Sequence, residues 1–457
     1  LQRYLEADQR VWSSRWLQMQ RFPHRALSEA RRWQDGPLAR ELLEWGLVRF
    51  ARQNWAEARG YWTVLFSRFA FEESAKTRVD REIALFQAVS LDPGAIEAIN
   101  QLSLSGQDAQ VLAWQARVAM AHGRWDAVLE SIERMPAEVQ REERWLYWRG
   151  RALAELRRPD AVLAYAEVSE QANYYGFLAA QKLGQPLSLC PEPVVMDQVM
   201  VATMTQDPEF VRALALYQVG LHDHARWTWY RWLTSLPKDR QHQAALMASQ
   251  LGWHDRAVAT FAHVGTLRAY TQRFPLVFED HVFSATERYN VDPALVYGLM
   301  RAESALQVDA HSRVGARGLL QLMPSTARAV ARRQGQRLDS VDDLWDAKIN
   351  VNLGVAHLAE LEARFAGDWV KVAAAYNAGA SAVDRWLNRD ELKDELPADV
   401  WIETLPFYET RDYVPRVLAF ATIYEWQLER TPTVLATHLM PNASPTPQAF
   451  ACTLSSD

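Results

Sequence analysis

Apolar residues recur at helical spacing through most of this 457-residue chain, and one informative stretch lies between Pro293 and Leu306. Asp292-Pro293 reads as an N-cap followed by a first-turn proline, which predicts a helix from about Pro293 to Leu306. On its period Val296, Leu299, Met300 and Glu303 share a stripe, with Leu295 beside it and Arg301 on the far side. A carboxyl set among apolar side chains loses hydration, so its pKa should rise. Held neutral near pH 7, it can donate a proton to a leaving group. Taken alone, the stripe is better read as a core glutamate tied down by a buried partner or a water, because structural pairs also perturb pKa. The residues that follow reverse that preference. Gly315 and Gly318 mark a turning loop that allows close backbone approach. Leu319 to Met323 is predicted short and extended, with Gln321 and Met323 on one face and Leu320 and Leu322 on the other. Pro324 opens a further helix that should stop near Gly335.

Upstream, the helical pattern repeats. Trp114 and Trp148 stand 34 residues apart, as do Asp126 and Asp160. Ala116-Arg-Val-Ala followed by Asp126-Ala-Val-Leu recurs as Gly150-Arg-Ala-Leu followed by Asp160-Ala-Val-Leu. That period is the one of tetratricopeptide-like helix pairs. Ala51-Arg-Gln-Asn-Trp-Ala-Glu-Ala58 is a looser early echo, and Gly220-Leu-His-Asp-His-Ala225 returns 32 residues later as Gly252-Trp-His-Asp-Arg-Ala257. Leu187-Ser-Leu-Cys-Pro191 and Pro193 interrupt the pattern and mark a boundary. Of 19 tryptophans, 14 precede residue 278, and their expected work is packing helix against helix.

Composition narrows the chemistry. Hydrophobic residues at 49% and charged residues at 23% are an ordinary globular balance, and a formal net charge of −6 gives no case for nucleic-acid binding. No run reaches the apolar length of a membrane span. Leu1 carries neither an initiator methionine nor a secretion signal, so the expectation is either that a leader has been removed or that the chain was trimmed. Cys190 and Cys452 are too few for a disulfide framework, although they can pair in an oxidising compartment. His222-Asp-His224 with His254-Asp255 sits in turns without zinc spacing. The run Asp339, Asp342, Asp343, Asp346 lacks the glycine and terminal glutamate of a calcium loop. The expectation is no metal and no cofactor.

Glu303-Ser, then Gly315-Ala-x-Gly318-Leu-x-Gln321-x-Met323-Pro, resembles the catalytic motif of the soluble lytic transglycosylases, relatives of goose-type lysozyme. Ala374-Ala-Tyr376-Asn377-Ala-Gly379 resembles that family's Tyr-Asn-Ala-Gly motif. Glu403-Thr-Leu-Pro-Phe-Tyr-Glu409-Thr-Arg411-Asp-Tyr413-Val resembles the block that closes its glycan groove, and Asp346, Asn350, Gly354 and Leu358 match a supporting helix. Tyr174-Tyr-Gly-Phe-Leu-Ala-Ala180 is similar to the superhelical region. The chain departs from the pattern at Leu306-Gln307-Val308, Ala347, His357 and Ala380, none of them a motif position named above.

The resemblance implies an all-α protein. An N-terminal α-superhelix of tetratricopeptide-like pairs would occupy 1–205, a small helical linker domain 206–277, and a lysozyme-like catalytic domain with a minor β element 278–430. Residues 431–457, rich in Pro, Ser and Thr, read as a loosely packed extension. Glu303 would be the only catalytic carboxylate, with Ser312 and Tyr376 as hydrogen-bonding neighbours. Gln321, Met323, Asn377, Glu409, Arg411 and Tyr413 would contact substrate. The implied reaction cleaves peptidoglycan between N-acetylmuramic acid and N-acetylglucosamine without water, Glu303 serving first as acid and then as base. The implied partners are glycan strands with their stem peptides, and cell-wall synthesis proteins are further candidates. The implied location is the periplasm of a Gram-negative bacterium. Two alternatives stay open: a hydrolytic muramidase with Glu409 or Asp309 activating water, and a repeat scaffold carrying an inactive lysozyme-like domain.

Overall fold

The computed structural model of the protein describes residues 7–389, 395–433, 435 and 449–452. It is an all-α fold whose chain forms two compact units, Leu1–Tyr165 with Trp386–Tyr408, and Ala166–Arg385 with Glu409–Asp457.

In the first unit successive helices pack on one another in chain order from Ala7–Arg21 onward. The 34-residue echo is a structural one. Helices Ala109–Ala121 and Trp125–Glu133 have 13 and 9 residues, and the next pair, Glu143–Glu155 and Ala161–Ser169, has the same two lengths. Trp33, Trp62, Trp114, Trp145 and Trp148 are buried between helices, as their spacing suggests. The linear division expected from the sequence places 386–408 with the catalytic block, whereas here it clusters with the first unit. A buried ionic hub accounts for this. Glu403, on the short helix Ala398–Glu403, accepts from Arg117 Nη2 at 2.8 Å and from Trp148 Nε1 at 3.1 Å. Asp399 accepts from the Tyr147 hydroxyl at 2.8 Å.

The second unit begins at Ala166 and takes in helix Tyr174–Leu183, which the sequence division placed in the N-terminal array, before the linker helices. Helix His222–Ser235 packs on Pro208–Gln218, and His254–Val264 on Lys238–Gln250, around Trp229, Trp232 and Trp253. The sequence echo at Gly220 and Gly252 introduces the second helix of each pair. Asp255 pairs with Arg226 and Arg256, and His222 lies against Tyr217. Among the described residues no three His, Cys, Asp or Glu side chains converge as metal ligands. A parallel strand pair, Leu187–Ser188 with Phe450–Ala451, is joined by the disulfide Cys190–Cys452. It lies outside 278–430, where a minor β element was expected and where the described residues form isolated bridges instead. Residues 449–452 are therefore docked, which corrects the loose-extension expectation for that segment. Residues 434, 436–448 and 453–457 of the same expectation lie outside the described residues.

Around Glu303 the fold is built on two helices. Pro293–Ser304 starts where Asp292 accepts from the Ala294 N–H at 2.8 Å. It ends two residues earlier than predicted, because Ala305 and Leu306 turn to φ 51° and 69°. Tyr408–Gln427 lies against it: a Cβ on Gly298 would come within 2.7 Å of the Ala421 backbone nitrogen, and Tyr297 stacks on Tyr424 at 5.0 Å. Proceeding from Gly298 to Glu303 on one helix matches going back from Ala421 to Tyr413 on the other, so the two run antiparallel. The far side of the Glu303 helix is also buried, so the helix is covered almost all round. Arg301 donates to the Arg273 carbonyl at 2.9 Å and lies over Phe274 and Phe420, and burial lowers its pKa to about 10.

Candidate active site

Glu303 sits in the last turn of its helix, half-buried, where the Tyr413 hydroxyl donates to its Oε1 at 2.5 Å. Burial pushes its pKa up to about 7; the Tyr413 bond and the Arg416 charge oppose the rise, and the Glu409 charge adds to it. Desolvation wins because a single hydrogen bond and screened charges recover only part of the lost hydration. At neutral pH this carboxyl is divided between a form that donates a proton and a form that accepts one. Tyr413 and Tyr376 are held neutral, each with a pKa well above the usual phenol range through burial and then the Glu303 charge.

The loop after the helix is assembled from within. Asn350, fully buried on helix Ala347–Arg364, accepts from the Leu320 N–H at 2.8 Å and donates to the carbonyls of Arg317 and Leu344 at 2.9 and 2.8 Å. Gly318 stands at φ 77°, where a Cβ would collide with the Asn350 amide and the Leu344 carbonyl. Gly318→Ala is accordingly expected to cost on the order of 2–3 kcal/mol. It should also weaken activity, and a urea melt with an assay on the same sample checks both. The predicted extended segment at 319–323 is instead a turn. Gln321 takes φ 45°, and isolated antiparallel bridges pair Arg317 with His311 and Leu322. The expected alternation survives in burial, with Leu320 and Leu322 inside and Met323 38% exposed.

The other expected site residues fall into two groups. Tyr413, Tyr376, Glu409 and Glu303 come together: Tyr413 bonds Glu303, the Glu303 charge acts on both tyrosines, and the Glu409 charge acts on Glu303. Tyr376 donates to the Leu320 carbonyl at 2.6 Å, so it ties the loop to helix Trp369–Ala378. Asn377 donates to Glu409 at 3.5 Å and accepts from the Thr410 hydroxyl at 2.7 Å. The remainder are bonded or packed within the fold. The Ser312 hydroxyl accepts from the Ala316 N–H at 2.9 Å, closing a turn, where a bond to Glu303 was expected. Gln321 donates to the carbonyls of Ala310 and Gly318 at 3.2 and 2.9 Å, and Arg411 is buried at 5% exposure. Sequence reasoning missed Arg416 and placed Asn350 only on a supporting helix, not in the bonding of the loop. Arg416, three residues past Tyr413 on one helix, was findable from that spacing.

Tyr413→Phe removes the bond that favours the charged carboxyl. Its expected effect is a Glu303 pKa above the wild-type value of about 7, moving the alkaline limb of the pH–rate profile upward. A kcat/KM profile from pH 5 to 9 measures it.

An all-helical chain with a half-buried, protonatable glutamate facing a tyrosine pair fits a lysozyme-like class of protein, and comparisons place it more closely. The Transglycosylase SLT domain matches residues 280–397, the Soluble lytic murein transglycosylase L domain 203–266, and the Soluble lytic transglycosylase helical domain 404–432. The soluble lytic murein transglycosylase of Escherichia coli K12 is 29% identical over 337 residues, 73% of this chain and 51% of that protein. Its Salmonella typhimurium namesake is 28% identical over 413 residues, 88% of this chain and 62% of that protein. The structure of an inactive mutant of the lytic transglycosylase Slt from Pseudomonas aeruginosa aligns with TM-score 0.87 at 29% identity, covering 94% of this chain and 70% of that one. The 70 kDa soluble lytic transglycosylase of Escherichia coli aligns with TM-score 0.83 at 26% identity, covering 96% and 71%. Over most of its length the chain is thus similar to the soluble lytic murein transglycosylases. It spans about half the length of the Escherichia coli relative.

Proposed function

We propose that this protein is a lytic transglycosylase that cleaves the β-1,4 bond between N-acetylmuramic acid and N-acetylglucosamine in peptidoglycan, leaving 1,6-anhydromuramoyl ends. The observation that carries this reading is the Glu303 carboxyl, raised to about 7 by burial and bonded to Tyr413. In the first step protonated Glu303 gives its proton to the glycosidic oxygen as the bond to the muramoyl C1 breaks. The substrate's own N-acetyl group steadies the positive charge at C1. In the second step ionised Glu303 takes the proton of the muramoyl C6 hydroxyl while that oxygen closes on C1. The proton count balances, and the enzyme ends as it began. A pKa near working pH suits one group acting in both directions. The Tyr413 hydroxyl favours the carboxylate that exists between the two steps.

Gln321, Met323, Asn377, Glu409, Arg411 and Ser312 belong in this reading to the wall and support of the glycan groove, with 278–430 carrying the chemistry. Glycan strands with stem peptides are the substrate, and cell-wall synthesis proteins are candidate partners. The periplasm is the compartment, supported by the Cys190–Cys452 disulfide, which needs an oxidising environment, and by Gram-negative relatives. No described helix is long and apolar enough to cross a membrane. Digestion of purified sacculi followed by mass analysis tests the reaction: the expected products are one water lighter than hydrolysed muropeptides. Products ending only in reducing muramic acid would contradict it.

A further inference from the structure

We infer that Arg226, on the linker helix His222–Ser235, is a positioning residue for the candidate active site, acting through Asp309 and Ala310 on the side-chain amide of Gln321. The inference rests on the functional reading above and assigns to the linker block a part in that chemistry. The Arg226 guanidinium is 13% exposed and forks onto Asp309, with Nη1 donating at 3.0 Å and Nη2 to the second oxygen. Its Nε donates to Asp255 at 3.1 Å, and Asp255, itself 7% exposed, is fixed by Arg256 at 3.0 Å. A planar fork held from behind by a buried carboxylate has little freedom, so it sets orientation as well as charge. Burial acts against the charge of Asp309, but the bonds and charge of Arg226 outweigh it and hold Asp309 below the usual carboxylate range.

Asp309 lies six residues past Glu303, in the loop that leaves the helix through Ala305 and Leu306 at φ 51° and 69°. The next residue, Ala310, accepts from the Gly318 N–H at 2.9 Å and from the Gln321 amide at 3.2 Å. The linker block therefore reaches the Gln321 amide in three contacts: Arg226 to Asp309, Asp309 along the backbone to Ala310, and Ala310 to Gln321. Asp223 is the third partner of Arg226, and its side chain is 95% exposed, so it adds little.

A double-mutant cycle on the full chain tests this. Arg226→Ala and Gln321→Ala are each expected to raise KM for glycan about tenfold, the loss of one oriented hydrogen bond. The double variant should be no worse than either single one, because both break the same relay. Arg226→Lys should recover part of the loss, keeping charge without the fork, and Asp223→Asn should change nothing. Additive effects, or an unchanged KM in a folded Arg226→Ala protein, would overturn the relay. Amide hydrogen exchange reads it without turnover. Exchange at Gly318 and its neighbours should quicken in Arg226→Ala and in the milder Asp309→Asn, and unchanged exchange in both would also overturn it. A wild-type protein that releases no anhydro products contradicts the functional reading instead, and the exchange result still decides the relay.

Discussion

Glu303→Gln is expected to lower turnover of peptidoglycan by about 10³-fold or more, since one group supplies both proton transfers. Glutamine keeps the size and accepts from Tyr413 but cannot give up a proton. The same variant should reveal what the buried acid does to stability. The folded pKa of about 7 lies above that of a free glutamate, so the folded protein binds this proton more tightly than the unfolded chain. Wild-type stability should accordingly fall as pH rises from the free-carboxyl range through about 7. The glutamine variant lacks that loss. Its Tm advantage over wild type should grow from pH 5 to pH 8, and an advantage that shrinks over that range would contradict the burial argument.

The second large effect concerns the hub at Glu403. Its carboxylate is 1% exposed and takes bonds from Arg117 and Trp148, with Arg144 Nε at 3.7 Å. Arg117 is 4% exposed and lies between Trp114 and Trp145 at 5.1 and 5.5 Å from their rings. Removing one partner of a buried pair leaves the other charge desolvated and uncompensated, which typically costs ~3–5 kcal/mol. Arg117→Ala should therefore destabilise the first unit by about that amount. Replacing both charges by apolar residues of similar volume should cost less than Arg117→Ala alone, because no orphan charge remains. Urea melts of the full chain followed by tryptophan emission give both values.

The sequence was informative wherever structure follows from local chemistry. Asp292-Pro293 and the stripe to Glu303 located the helix, and burial has the consequence for the carboxyl that the pattern implied. The 34-residue echo was legible because each pair repeats the same packing. Contacts made by distant segments escaped. Arg301 was placed on a far side that is buried against Phe274 and Phe420, one from the linker end and one from the final helix. The 319–323 segment alternates like a strand but turns, because the Asn350 side chain takes the Leu320 N–H and the Tyr376 hydroxyl takes the Leu320 carbonyl, groups that a neighbouring strand would take. Glu403 matched a groove motif in the sequence, yet its side chain is sealed among arginines and a tryptophan of the helical array. The pairing of Glu303 with Tyr413 spans 110 residues, and only a family resemblance brought the two into one site.

The central claim is that burial holds one carboxyl, Glu303, near neutrality. Carbon-13 NMR titration of glutamate-labelled protein measures that directly, with Glu303→Gln to assign the resonance. The account predicts one carboxyl titrating near pH 7 that vanishes in the variant. A spectrum in which every glutamate titrates in the ordinary range would contradict it.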